Sequence, residues 1–159
     1  MKQNGFVLIE LIVVIGMLAV LIGMITVSTL GSQRRAALTS TVDTLVADLR
    51  SQQTKAMTGV TSGSIIQAGY GVFFQSDRYI LFQGASYSAA MTSNAPIVID
   101  TRVKFSSIKL PNSSVVFASK SGEIVGFNSQ LNSVTVTQSD SNFAKTLYLN
   151  RYGVITSVN

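Results

Sequence analysis

Few residues in this chain have the type and spacing that enzyme chemistry requires. The sequence contains no Cys and no His, which excludes disulfides, thiol nucleophiles, Cys/His metal sites and imidazole bases. Ser106 and Lys109 match the Ser-x-x-Lys spacing of some acyl-transfer enzymes, but that motif needs a helical turn and the surrounding residues predict a strand. The acids of the C-terminal part are scattered along the sequence, at Asp77, Asp100, Glu123 and Asp140. We therefore predict that the chain is not an enzyme and uses no cofactor and no metal.

Glu10 is the one charged residue in a long apolar stretch. From Phe6 to Leu30 there are 25 residues without Lys, Arg or Asp, long enough to span a bilayer as a helix. A carboxylate within such a span costs roughly 3 kcal/mol at the bilayer centre, and less near the ends. A cleaved signal peptide and an uncleaved anchor, with Lys2 on the cytoplasmic side, both remain open. Neither of them explains Glu10.

Cleavage of the chain between Gly5 and Phe6 would explain Glu10. Phe6 would then carry a free cationic α-amine, and Glu10 would lie one helical turn further on, on the same face. The carboxylate would also lie near the positive end of the helix dipole. Its partner would be the amine of its own chain or of a neighbouring chain. This hypothesis predicts lateral assembly of the helices.

The N-terminal residues resemble a known processing motif. Gly5-Phe6-Val7-Leu8-Ile9-Glu10, followed by a long apolar run, is similar to the cleavage and methylation motif of type IV pilins and type II secretion pseudopilins. The resemblance implies that a prepilin peptidase cuts after Gly5 and methylates the amine of Phe6. It also implies that Glu10 pairs with the N-terminus of an adjacent subunit during filament assembly.

One feature of the apolar stretch departs from many major pilins. They carry a proline in the second half of the apolar helix, and this chain has none there. Gly16, Gly23 and Gly31 are the remaining weak points, each costing about 1 kcal/mol of helix propensity relative to Ala. Gly16, Ala19 and Gly23 fall on one face and would allow helices to approach closely, although glycine is also simply common in membrane helices.

The helical pattern continues beyond the apolar stretch. Leu38, Val42, Leu45, Leu49 and Ala56 recur at helical spacing, whereas the charged residues avoid this stripe. We therefore predict one continuous helix over 6–57, ended by Gly59. The predicted organisation is a leader over 1–5, a transmembrane segment over 6–30, an amphipathic continuation over 31–58 and a β-rich head over 59–159.

After Gly59 the sequence changes to short β-rich runs separated by turn residues. Tight hairpin turns are predicted at Ser76-Asp77 and at Arg151-Tyr152-Gly153. The twelve residues 84–95 are either an exposed loop or a strand that the pattern conceals. The predicted strands are Ser64–Gln67, Gly71–Gln75, Tyr79–Gln83, Ile97–Asp100, Val103–Ile108, Ser114–Ala118, Glu123–Phe127, Ser133–Thr137, Thr146–Asn150 and Val154–Val158.

The predicted fold class is α+β, with a long N-terminal helix packed on an antiparallel β head, as in pilins. The order of elements is similar to the minor pseudopilin and minor pilin group that has a two-sheet β head. Two shorter stretches also resemble that group, "TLVADLRSQQTKAM" at the end of the helix and "LYLNRYGVITSV" as its closing hairpin.

Aromatic residues concentrate in one region of the predicted head. In the runs "VFF" and "YILF", alternate side chains face opposite sides of the sheet. One set is expected to fill the core and the other to cover the sheet. The alternative is an exposed aromatic patch for a partner subunit or a ligand.

The basic residues of the head carry a second functional hypothesis. Arg102 and Lys104 are predicted to share one strand face, opposite Val103 and Phe105. Some minor pilins resembling this chain bind DNA for uptake, which implies contacts with phosphates that are nonspecific and steeply dependent on salt. The candidate DNA-binding residues are Arg102, Lys104, Lys109, Lys120, Lys145 and Arg151.

The function predicted from these residues is that of a structural subunit. The resemblance implies a minor pilin or pseudopilin of a type IV pilus or type II secretion pseudopilus. Its expected location is the bacterial inner membrane, with a single pass and the head outside the cytoplasm. The expected partners are prepilin peptidase, other pilin or pseudopilin subunits and membrane lipid. The alternatives are a DNA-binding minor pilin and a membrane-anchored β domain without a role in filaments.

Overall fold

The computed structural model of the chain describes residues 4–59, 69–141 and 143–158, apart from the side chains of 4–7, 24–34 and 157–158. The chain divides into two compact units, the first ending at Ala36 and the second beginning at Ala37.

One long helix contributes residues to both units. Helix α1 covers Asn4–Thr58, in agreement with the predicted helix over 6–57. Gly59 follows it in the left-handed conformation, with φ of +64°, and its N–H donates to the Lys55 carbonyl at 3.1 Å. Glycine adopts this conformation without a Cβ penalty, which explains why the helix ends there, as predicted.

The prediction of a transmembrane segment over 6–30 receives no support from the structure. Within the residues it describes, no helix combines the length and the apolar character needed to cross a membrane.

The described residues of the second unit form eight strands in two antiparallel sheets. The first sheet has the order β3-β2-β1-β5 and the second has the order β4-β6-β7-β8. A 3-10 turn at Pro111–Ser113 connects β4 to β5. The strands are β1 (Tyr70–Phe74), β2 (Arg78–Gln83), β3 (Ala95–Val98), β4 (Val103–Lys109), β5 (Ser114–Phe117), β6 (Ser133–Gln138), β7 (Ala144–Leu149) and β8 (Ile155–Val158).

Both predicted tight turns are present. The β1–β2 hairpin turns at Ser76-Asp77, where Gln75 N–H donates to the Arg78 carbonyl at 2.9 Å. The β7–β8 turn is closed by Asn150, whose side-chain oxygen accepts hydrogen bonds from the backbone N–H groups of Tyr152 and Val154. Local turn chemistry therefore sets the register of these two pairs.

Eight of the ten predicted strands have a counterpart within a few residues of the predicted bounds. The strand predicted at Glu123–Phe127 is wrong, because this segment forms only an isolated bridge between Ile124 and Phe117. Gly122 directly precedes this segment and Gly126 lies within it, and both adopt the left-handed conformation, which bends the backbone out of an extended path. The predicted strand Ser64–Gln67 lies outside the described residues. Residues 84–94 form a loop, and strand β3 begins directly after it.

The core of the second unit lies between the helix and both sheets. The predicted helical stripe is buried throughout, with Leu38, Val42, Leu45, Leu49 and Ala56 each at most 4 % exposed. They belong to one hydrophobic cluster with side chains from both sheets, including those of Phe74, Phe105, Phe117, Val136 and Leu147. Nonlocal burial of the stripe therefore fixes this part of α1 on the sheets.

Alternation along β1 and β2 separates the aromatic residues as expected. Phe74 and Tyr79 face the core, where both rings make edge-to-face contacts with Phe105. Phe73 and Phe82 project from the opposite face of the first sheet, and Tyr87 of the 84–94 loop contacts both of them. The fold class is accordingly α+β, with helical structure and antiparallel sheets.

Candidate functional site

The most unusual surface of the chain is the apolar part of α1. Between Leu8 and Gly23, all twelve large apolar side chains are exposed, by between 47 and 65 %. They occupy twelve of the fifteen consecutive helical positions from Leu8 to Ile22 and therefore cover every side of the helix. A helix that is apolar all round is normally buried in a protein core, in lipid or among other helices. This surface is therefore a candidate for assembly or insertion.

Glu10 lies within this exposed apolar helix. Its side chain is exposed, and it is the only charged residue between Leu8 and Gly23. Gly5 and Phe6, the residues predicted to flank the cleavage, lie in the first turn of α1. The backbone of Phe6 is thus one helical turn before that of Glu10, as the cleavage hypothesis requires.

Asp48 connects the helix to the first sheet through a polar contact. The hydroxyl of Tyr79, which is 1 % exposed, donates to Asp48 Oδ2 at 2.5 Å. Burial, followed by this hydrogen bond and the negative charge of Asp48, raises the pKa of Tyr79 well above its usual range. Asp48 lies outside the apolar stripe of α1, so the sequence pattern did not assign it a partner.

Gln53 holds the C-terminal part of α1 against two turns of the head. Its side-chain N–H groups donate to the Gly122 carbonyl at 2.9 Å and to the Tyr152 carbonyl at 2.6 Å. Lys120 N–H also donates to the Ala56 carbonyl at 3.0 Å, which satisfies one of the last carbonyls of the helix. These contacts between distant residues leave no trace in local sequence patterns.

Two of the candidate DNA-binding residues are engaged in ion pairs. Arg102 lies in the turn before β4 and donates to both carboxylate oxygens of Asp100, at 2.8 and 2.6 Å. The side-chain and backbone hydrogen bonds from Arg102 lower the pKa of Asp100 to about 2. Arg151, in the β7–β8 turn, pairs with Glu123 at 3.2 Å. Both pairs are partly exposed to solvent.

The four candidate lysines occupy three different environments. Lys104 and Lys109 lie on the outer face of β4, opposite Thr137 and Ser133 of β6. Lys145 of β7 lies opposite the buried Val136 of β6 in the strand register. Its amine donates to Thr39 Oγ1 of α1 at 3.3 Å. Lys120 is exposed in the turn that contacts Ala56. The structure thus places Lys104 and Lys109 on one strand face and the other four candidates elsewhere.

The Ser-x-x-Lys match has the strand geometry that its sequence context predicted. Ser106 and Lys109 both belong to β4, which is irregular between Phe105 and Ser107. Ser106 Oγ forms a hydrogen bond with Thr137 Oγ1 of the neighbouring strand. A helical turn that would bring the lysine amine to the serine hydroxyl is therefore not formed at this position.

Three head acids lie next to arginine rather than next to one another. Asp77, Asp100 and Glu123 pair with Arg78, Arg102 and Arg151. In the described ranges, no group of three or more acidic side chains is arranged to hold a metal ion. The arrangement of these acids is that of surface ion pairs.

Comparison of the chain with protein-family models, with curated proteins and with solved structures gave no match.

Proposed function

We propose that the chain is a structural subunit that assembles with other subunits through the apolar part of α1. The observation that carries this proposal is the exposure of every large apolar side chain from Leu8 to Ile22. Exposed apolar area of this extent favours association, at roughly 25 cal/mol per Å² removed from water. A folded head that leaves such a helix uncovered suits a subunit whose partners supply the cover.

In this proposal, Glu10 makes the association between neighbouring subunits specific. A carboxylate among apolar side chains is tolerated when a cation of a neighbouring chain lies at the same depth. Cleavage after Gly5 would create that cation as the α-amine of Phe6. The N-terminal residues resemble the pilin processing motif, and on that basis we propose a minor pilin or pseudopilin, held in the bacterial inner membrane before assembly.

Small residues on α1 are compatible with close packing of neighbouring helices. A Cβ added at Gly16 or at Gly23 would meet nothing within 4 Å. The space next to these two glycines is therefore open to a helix from another subunit. Van der Waals contact at small residues is a common basis of helix association in lipid.

The proposal is tested by producing the full chain in cells that contain an active prepilin peptidase. Mass spectrometry of the membrane fraction and of filaments sheared from the cells should identify a chain that begins at methylated Phe6. The Glu10→Gln variant should be processed, because the cleavage site is intact, but should be depleted from the sheared fraction by about tenfold or more.

Asp43→Asn serves as the matched control, since Asp43 is an exposed acid on the part of α1 that belongs to the head. This variant should enter the sheared fraction as the unmodified chain does. Recovery of a chain that retains Met1, or equal assembly of the Glu10→Gln variant, would contradict the proposal.

A further inference from the structure

The outer face of the first sheet is covered by a loop that depends on one aromatic side chain. Tyr87 stacks on Phe73 with ring centroids 4.1 Å apart and planes inclined by 4°. It also contacts the buried Phe82 edge-on, with centroids 5.7 Å apart. The loop is further closed by its own hydrogen bonds, such as that from the Asn94 side chain to the Ser88 carbonyl at 2.8 Å. Tyr87 thus fixes the near wall of an adjacent cavity.

This cavity has a volume of about 470 Å³, within the range of small-molecule sites in proteins. The lining includes Phe73 and Val116 of the sheet, Ser86 and Tyr87 of the loop, and Asn112 and Val125. Among the described residues that line it, none carries a charged side chain. The cavity wall therefore combines hydroxyl and amide groups with aromatic and aliphatic side chains.

Asn112, one of the lining residues, belongs to a turn with an unusual backbone conformation. Asn112 and Ser113 are consecutive non-glycine residues in the left-handed conformation, with φ of 50° and 52°. Non-glycine residues are uncommon in this conformation, and residues in sparsely populated conformations concentrate at functional sites. The Asn112 side chain is exposed and forms no hydrogen bond within the described part of the chain. The amide is thus held beside the cavity with its donors and acceptor available.

The residue types that line the cavity restrict the chemical class of ligand that it can bind. A charged ligand would lose hydration without gaining a charged partner, and a purely apolar ligand would leave the amide and hydroxyl groups unpaired. A peptide added as a strand requires an open sheet edge. The nearby edge of β5 is already occupied, because Val125 N–H donates to the Val116 carbonyl at 2.9 Å. A neutral saccharide, with hydroxyl groups around apolar C–H faces, matches the lining.

We propose that this cavity, between Tyr87 and Asn112, is a binding site for neutral oligosaccharides. The Asn112 amide and the Ser86 hydroxyl bind sugar hydroxyls, and the Phe73 and Val125 side chains contact the C–H faces. The site lies entirely in the second unit and does not depend on filament assembly.

Saturation-transfer difference NMR tests this proposal on the full chain in a zwitterionic detergent without a sugar head group. The probes are maltose, lactose and N,N′-diacetylchitobiose. At least one of them should receive saturation from the protein, and the Asn112→Gly variant should bind that sugar about tenfold more weakly or worse. This variant should fold, because glycine adopts the left-handed conformation without strain.

Gln130→Ala is the matched control, because it removes an exposed amide outside the cavity, and its affinity should equal that of the unmodified chain. A melting curve establishes that each variant is folded. The proposal is overturned if no probe receives saturation. It is equally overturned if a probe binds the Asn112→Gly variant as tightly as the unmodified chain.

Discussion

At the scale of single residues, the head uses a polar contact at the margin of its core. Tyr79 is among the largest fully buried side chains, and its hydroxyl reaches Asp48 of α1. A hydrogen bond between a buried hydroxyl and a carboxylate is worth more than one between neutral groups. This contact also selects one rotation of the helix, because the carboxylate must face the sheet while the stripe remains buried.

Replacement of Tyr79 by Phe should therefore destabilise the chain by about 2 kcal/mol, since the Asp48 carboxylate loses its donor in a half-buried position. Chemical unfolding of the full chain in detergent measures this change in the free energy of unfolding. Tyr152→Phe is the control, because Tyr152 is 62 % exposed, and it should change stability by no more than a few tenths of a kcal/mol. Equal changes in the free energy of unfolding for the two variants would contradict a stabilising role of the hydrogen bond between Tyr79 and Asp48.

The same contact predicts a pH dependence at alkaline pH. The pKa of Tyr79 is higher in the folded chain than the value of about 10 for an unfolded tyrosine. The contribution of Tyr79 is therefore complete below about pH 10 and is lost as the pH rises towards the folded pKa. Unfolding curves above pH 10 should show a steeper loss of stability for the unmodified chain than for Tyr79→Phe. Parallel curves would show that Tyr79 is not the group responsible.

At the scale of elements, one glycine in the β7–β8 turn allows the head to pack closely on α1. A Cβ added at Gly153 would lie 2.7 Å from Gln53 Nε2 and 2.7 Å from Phe117 Cε1. Phe117 is fully buried and has no room to move away. The β7–β8 turn therefore needs glycine both for its left-handed backbone and for the approach of the helix.

Gly153→Ala should consequently destabilise the chain by about 3 kcal/mol, through backbone strain together with overpacking. Gly126→Ala separates the two causes, because Gly126 has a similar φ of +64° but an added Cβ there would meet nothing within 4 Å. We expect about 1 kcal/mol for this control. The comparison uses chemical unfolding, and losses of the same size would show that the contact with Gln53 and Phe117 has no energetic importance.

Sequence patterns predicted the elements of this chain better than the contacts between them. The stripe from Leu38 to Ala56 and the turn at Ser76-Asp77 are local signals, and both are confirmed. The pairing of Asp48 with Tyr79 and the two bonds of Gln53 join residues far apart in sequence, so no period reveals them. The strand predicted at Glu123–Phe127 is wrong, because most of its residue types suit a strand but Gly122 before it and Gly126 within it bend the backbone.

For the candidate DNA-binding residues, sequence patterns likewise predicted the position on a strand but not the contacts of the side chains. Parity along β4 correctly separated Lys104 from the buried Val103 and Phe105. It could not show that Arg102 precedes the strand and pairs with Asp100, or that Lys145 contacts Thr39. These outcomes depend on which groups the tertiary fold places within reach.

At the scale of the whole molecule, the net charge of +5 is distributed rather than concentrated. Lys104 and Lys109 share a strand face, whereas the arginines at 102 and 151 are paired with acids. A few dispersed cations support binding to nucleic acid that is weak, nonspecific and sensitive to salt.

We therefore expect the full chain in detergent to shift a DNA duplex in a gel at low salt, and to lose the shift at physiological salt. Lys104→Gln/Lys109→Gln and the control Lys55→Gln/Lys120→Gln remove equal charge from different surfaces. They should reduce the low-salt shift to a similar extent. A shift that persists at physiological salt and disappears only in the first double variant would contradict this expectation and favour a DNA-receptor role.

Strand β3 has a consequence for how copies of the head behave when they are crowded together. It forms one margin of the first sheet, and Pro96, opposite Ile80, lies within it. Proline has no N–H to offer to an incoming strand, so a foreign strand cannot form a complete ladder along this margin. This margin of the first sheet is therefore a poor template for strand addition between copies of the head.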